Sequence, residues 1–251
     1  MLENLVVVTV VALAGALVGI SGFGFNIAAT PALALVMPSK VAVVIALANG
    51  VSTNGILSFT MRWPRAKLVE LLIGSALGIA LAAGFVAKLD ETTVRMAVAV
   101  VALTSIAMMV RGQRATSRTS QEPAKVRRQP KGRTAAVLVG GVSGVLASAT
   151  GMGAPVVAAY LSRCGVESDE IRSIVTIHTC AVNLVVIGAA MTVGSVDLSA
   201  LWLACSLLPV SAVGLLAGAL VYRKFNRVFR PTVFAMMFTA AAVSVVLLIS
   251  R

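Results

Sequence analysis

Ser21-Gly-Phe-Gly-Phe-Asn-Ile-Ala-Ala-Thr-Pro31 lies inside hydrophobic sequence, where glycine and proline are uncomfortable. Gly22 and Gly24 permit backbone angles that side chains disfavour, and Pro31 lacks a main-chain donor. In hydrocarbon an unsatisfied backbone group costs several kcal/mol, so irregular chain survives there only when buried in protein or lining a wet cavity. The second half of the chain repeats the device as Ser148-Ala-Thr-Gly-Met-Gly-Ala-Pro155. The two breaks read as two parts of one site.

The surrounding composition supports a membrane setting. Of 251 residues, 59% are hydrophobic and 12% charged, against roughly 45–50% and about 25% in soluble domains. That predicts an all-α, polytopic bundle of transmembrane helices. The net charge of +12 would suggest nucleic acid in a soluble chain. Here aromatics are few and the basic residues sit in short loops between apolar segments, the positive-inside pattern, so no nucleic-acid partner is expected. Cys164, Cys180 and Cys205 have no metal-ligand spacing and read as reduced packing residues. No metal or cofactor is expected. The N-terminal apolar run carries Glu3 in place of a basic region, so it reads as a retained first membrane segment.

Apolar segments run over residues 5–20, 23–37, 41–60, 68–87, 93–110, 134–149, 152–162, 172–192, 198–221 and 232–250. Crossing about 30 Å of hydrocarbon takes about 20 helical residues. The second and seventh segments are too short and follow the glycine breaks directly, so they read as re-entrant or broken half-helices. Ser39, Asp90-Glu91, Ser168-Asp-Glu170 and Asp197 mark helix starts, because such residues accept from free N–H groups and suit the positive end of the helix dipole.

Residues 111–133 hold eight basic residues and only Glu122 as an acid, among Gln, Ser, Thr and Pro. They read as a disordered basic linker between a first repeat, 1–110, and a second, 134–251. Gly15-x3-Gly19 answers to Gly140-x3-Gly144, and Gly74-x3-Gly78 to Gly214-x3-Gly218, spacings that let helix backbones approach closely. Pro31 is matched with Pro155. With the linker cytoplasmic, the loops holding Arg62, Arg65 and Lys67, and Arg223, Lys224, Arg227 and Arg230, fall inside. Glu3, the Lys88–Glu91 loop and the loop before Asp197 fall outside, as do both termini. Each basic loop of one half then matches a charge-poor loop of the other on the opposite face, the mark of inverted repeats.

Half-helix N-termini present free N–H groups to an anion. Gly22, Gly24, Gly151 and Gly153 would let a ligand approach the backbone, beside Ser21, Asn26, Thr30, Ser148 and Thr150. Asn49, Ser52 and Thr53 share one helix face, and Thr176, Thr179 and Asn183 another. Each is equally able to serve helix packing, since Ser, Thr and Asn bond across membrane helices for about 0.6 kcal/mol on average. His178 is the only ionisable side chain deep in a membrane segment, readable as a proton-coupling group or as a helix contact. No acid lies mid-segment, which disfavours a cation substrate. Signatures of hydrolases, metalloproteases and phosphate loops are missing, so no enzyme activity and no catalytic residue are expected.

Gly19-Ile-Ser-Gly-Phe-Gly-Phe25 running to Pro31, Pro38-Ser-Lys-Val-Ala42, Gly141-Val-Ser-Gly144, Gly151-Met-Gly-Ala-Pro155, Tyr160-Leu161 and the Glu167–Arg172 loop together resemble the TauE/SafE family of sulfite-exporter-like membrane proteins. The resemblance implies a multi-pass inner-membrane transporter that exports sulfite or a small organosulfur anion such as sulfoacetate. The chain departs from the family pattern in reading Gly24-Phe-Asn26 where a glycine run is common, and in having Ala154 in the second motif. Both narrow the space beside a ligand. The expectation is alternating access to a small anion at the two breaks, in contact with the bilayer; self-association into a homo-oligomer stays open. The alternatives are an anion importer or channel, or a membrane scaffold without a substrate of its own.

Overall fold

The computed structural model describes residues 2–61, 67–119, 132–194 and 196–225. They are helical throughout: α1 Leu2–Ser21, α2 Phe25–Leu33, α3 Ser39–Ser58, α4 Leu68–Ala87, α5 Glu91–Thr119, α6 Arg133–Thr150, α7 Ala154–Arg163, α8 Ser168–Thr192, α9 Leu198–Ser206 and α10 Leu208–Phe225. Among the described residues, six stretches can cross a membrane by length and composition: α1, α3, α4, α6, α8 and the run Leu198–Val221. The helices at the breaks cannot. At 1.5 Å per residue, the 9 residues of α2 and 10 of α7 reach about half way. Large apolar side chains such as Leu81, Phe85 and Trp202 are 68–82% exposed. Such a surface suits hydrocarbon and not water. The chain is a multi-pass membrane protein.

Several boundaries differ from the sequence reading. The apolar run 198–221, expected to be one helix, breaks at Leu207. Pro209 follows, and its ring cannot accept a continuous helix past the carbonyl four residues earlier. Pro31 lies near the end of α2, whereas Pro155 lies in the first turn of α7, so the two prolines are not equivalent positions. Helix α5 runs on to Thr119, into the basic stretch, where Arg, Gln and Ala are good helix formers. The rest of the linker to residue 131, the loop 62–66 and the segment 232–250 lie outside the described residues.

Starts are fixed by local chemistry. Asp197 accepts from the Ser199 hydroxyl at 2.7 Å and from Ser199 N at 3.4 Å. Asp90 accepts from Thr93 N at 3.2 Å and from the Thr93 hydroxyl. Those bonds favour the charged carboxylates and hold both below the ordinary carboxylate range. Ser39 is the first residue of α3, and its N–H donates to Glu91 Oε1 at 2.6 Å, tying α3 to α5 at one end of the bundle. Arg133 Nε and Glu70 Oε1, 3.7 Å apart, tie the starts of α6 and α4 at the other end.

Two close-packed pairs frame the bundle: α1 on α10, and α4 on α6. Both are glycine seams. A Cβ at Gly15 or Gly19 would strike the carbonyl of Ser211 or Leu215, and one at Gly214 or Gly218 that of Ala12 or Ala16. In the other pair, Gly74 and Gly78 face the carbonyls of Val137 and Gly141, and Gly140 and Gly144 those of Leu71 and Ser75. In all eight cases the carbonyl struck lies three residues before the partner helix's own glycine. Packing carries these seams, since backbones in lipid gain by close van der Waals approach rather than by a hydrophobic drive. Between the pairs, α3 and α8 cross antiparallel, with Asn183 Nδ2 donating to Leu47 O at 3.4 Å.

Candidate functional site

Both breaks begin with a glycine in the left-handed region, Gly22 at φ 87° and Gly151 at φ 76°. A side chain there would strain the backbone by ~1 kcal/mol or more. Gly24, at φ 107°, caps α2, while Gly153, at φ −86°, caps α7 in ordinary helical geometry. Gly153 is small for another reason: a Cβ would meet Ser143 O and Oγ at 2.5 Å, so α7 starts hard against α6.

The breaks meet. Asn26, in the first turn of α2, donates from Nδ2 to Gly151 O at 2.6 Å and lies 3.4 Å from Asn183 Oδ1. Gly50 of α3 leaves room for this crossing, because a Cβ there would sit 2.6 Å from both Asn26 Oδ1 and Asn183 Nδ2. Thr30, one turn along α2, approaches Gly151 as well. Asn26, Thr30 and Asn183 are at most 5% exposed, yet Asn26 Oδ1 and Thr30 Oγ1 have no partner. Unpaired buried polar atoms cost about 1–3 kcal/mol each, so a cluster of them marks a place worth explaining.

Other expected site residues are held elsewhere. Ser21 Oγ bonds to Leu17 O and Phe23 O, bracing the first break. Ser148 returns to Gly144 O and Thr150 to Leu146 O, while Thr150 Oγ1 also accepts from Met152 N across the second break. Asn49 Nδ2 donates to Ile45 O and Ala204 O, stitching α3 to α9, and Thr53 donates to Asn49 O. His178 lies between α4 and α8, with Nε2 2.9 Å from Ser75 Oγ. Ser75 in turn bonds to Leu71 O and Gly140 O on the α4–α6 seam. Among the described residues, the bonds of Asn49, Thr53 and His178 thus run within α3 or to α9 and α4 rather than to either break.

One residue escaped the sequence reading. Arg172 of α8 lies over Gly22, so close that a Cβ on that glycine would overlap its Nε. Its neighbour Thr176 donates to Gly22 O at 2.9 Å. Arg172, Thr176, Thr179 and Asn183 fall on one face of α8 at i, i+4, i+7 and i+11, a signal hidden because the arginine was read with the preceding loop.

Beside the second break, a cavity of about 60 Å³ is lined by Val43, Leu47, Val94, Ser148 and Val186, with Lys40 toward the end where α3 begins. Among the described residues no cluster of His, Cys, Asp and Glu could hold a metal.

Against known proteins, the family model described as sulfite exporter TauE/SafE matches residues 7–244. No curated protein and no solved structure matches.

Proposed function

Because the chain belongs to the sulfite exporter TauE/SafE family, we propose that it carries a small anion, sulfite or an organosulfonate, out across the inner membrane by alternating access around the two half-helices. The observation that carries this reading is the Asn26 Nδ2 bond to Gly151 O, which joins breaks 125 residues apart in sequence. Two irregular stretches touching at the middle of a bundle of spanning helices are the arrangement in which half-helix N-termini hold an anion.

In this reading Gly22, Gly24, Asn26, Thr30, Gly151 and Asn183 form the binding site. Ser21, Ser148, Thr150 and Gly153 keep the breaks in shape, and Asn49, Thr53 and His178 keep helices in register. The eight seam glycines, matched pair by pair between 1–110 and 134–251, support two inverted repeats, with α1 and α6 as equivalents and α4 matched by α9 and α10. No residue is assigned to catalysis.

Flux into proteoliposomes tests the function, with sulfite, sulfate, thiosulfate and sulfoacetate compared with and without a pH gradient. Selective flux supports it. Wild-type protein that moves none of them points instead to a scaffold or an unrelated substrate. Orientation is tested by labelling single cysteines in a background without the three native ones: Arg163→Cys is expected to react from the cytoplasmic side and Lys88→Cys from the outside. The reverse result would turn the topology over.

A further inference from the structure

We infer that Arg172 is the fixed positive charge that binds the anion at the first break, so that the site prefers oxyanions and carries its guanidinium on one side only. The inference rests on the anion-transport reading and narrows it to one guanidinium.

Arg172 stands one turn into α8 with its Nε buried and without a hydrogen-bond partner. The ion pairs among the described residues, Arg95–Glu91 and Arg133–Glu70, leave it out. Asp169 and Glu170 are near in sequence and exposed, but neither comes within 4 Å. The positive end of the α8 dipole lies just before it, and the positive end of α2 begins three residues beyond the glycine it covers. The negative end of α1 closes beside the same glycine, yet no carboxylate among the described residues pairs with the guanidinium. A guanidinium with a buried, unpartnered Nε is expensive unless something negative joins it.

The geometry looks selected for that guanidinium. Gly22 must lack a side chain to admit it, and Thr176 pins Gly22 in place through its carbonyl. A guanidinium presents a planar fork that matches two oxygens of one anion, which a lysine cannot imitate. Sulfite and sulfonates offer such oxygens; a halide does not.

The second break is built without this charge. There Gly151 is faced by Leu47, with Asn26 and Thr30, and the cavity beside it is lined largely by apolar side chains, its one cation, Lys40, donating to Ala87 O. An anion released toward that side leaves its strongest partner behind.

The test uses the full chain, purified and reconstituted, as wild type, Arg172→Gln and Arg172→Lys, with sulfite as probe and chloride as competitor. For Arg172→Gln the expected result is a KM for sulfite raised about tenfold or more, the loss of one charge-assisted bidentate contact, with a smaller change in kcat. Arg172→Lys keeps the charge and is expected to fold, with an intermediate KM and weakened preference for sulfite over chloride. Both variants at wild-type KM and selectivity would overturn the inference. Thermal unfolding in detergent with added sulfite separates the two claims. Stabilisation of wild type that Arg172→Gln abolishes upholds the anion site even where no flux is seen, in which case it is the transport reading that fails. Wild type that sulfite does not stabilise overturns the site.

Discussion

The two glycine breaks share a backbone and differ in what surrounds them. Each starts with a left-handed glycine and opens a helix too short to span. Gly22 is covered by a guanidinium and a threonine of α8; Gly151 is approached by Asn26, Thr30 and Leu47. Gly24 caps its helix in the left-handed region, whereas Gly153 does so in ordinary helical geometry against Ser143. Both bends open on a left-handed glycine, and the side chains around them put a guanidinium over the first and amide, hydroxyl and apolar groups against the second. A shared backbone motif is therefore no guide to shared chemistry.

The sharpest way to break the comparison is to add a methyl group to each glycine in turn. Gly153→Ala pushes Cβ into the Ser143 backbone, and Gly78→Ala does the same to Gly141 on the α4–α6 seam. Overpacking against backbone that cannot yield should cost about 3 kcal/mol, read as a large loss of folded protein on size exclusion. Gly22→Ala meets the flexible arm of Arg172 and adds about 1 kcal/mol of left-handed strain, less than a clash with backbone, so most of the protein should fold while sulfite flux falls tenfold or more. Equal folding losses at Gly22 and Gly153 would erase the distinction. Next in size is the bridge between the breaks. Asn26→Ala removes a buried bond to Gly151 O and should cost about 1–2 kcal/mol, seen in thermal unfolding, with flux reduced more than by Asn49→Ala. Asn49 also makes buried bonds, so it controls for loss of packing alone.

The smallest effect lies outside the site, at the cap of α9. Asp197 is fully exposed, and its carboxyl is held low by the Ser199 hydroxyl and then the Ser199 N–H. A depressed folded value means the cap stabilises above the unfolded pKa and fades as pH falls through the folded one. The stability difference between wild type and Asp197→Asn should therefore be present at neutral pH and shrink below roughly pH 4. A difference that grows in acid would contradict the assigned cap.

Much of this was legible in the sequence because glycine inside an apolar run has few explanations. The breaks, the half-helices and the membrane class follow from hydropathy and spacing alone. Asn26 and Asn183 were also within reach, as amides that needed a partner in lipid. Two features were harder. The break at Leu207 lies within an unbroken apolar run, where only Pro209 betrays it and hydropathy is blind. Arg172 looked like one more residue of a charged loop: Ser168-Asp-Glu170 marks a helix start before it, but nothing in linear order says that the helix aims it at Gly22. His178, Asn49 and Thr53 show the other side of the same signal. Polar residues in lipid must bond to something: His178 meets Ser75 of α4, Asn49 bonds to Ala204 O of α9, and Thr53 turns back on α3.

The seams also set an order of events during synthesis. The face of α1 that carries Gly15 and Gly19 is built for Ser211 and Leu215, which leave the ribosome about 200 residues later. At roughly 5–20 residues per second, α1 waits on the order of 10–40 s for its mate. Through that interval a groove shaped for bare backbone stands open to lipid or to an insertion factor, while α4 and α6 have already closed. The last seam to form is thus the one that ties the start of the chain to its end, and a polypeptide cut short before Ser211 should persist in the membrane as a recognisable, unfinished substrate for quality control.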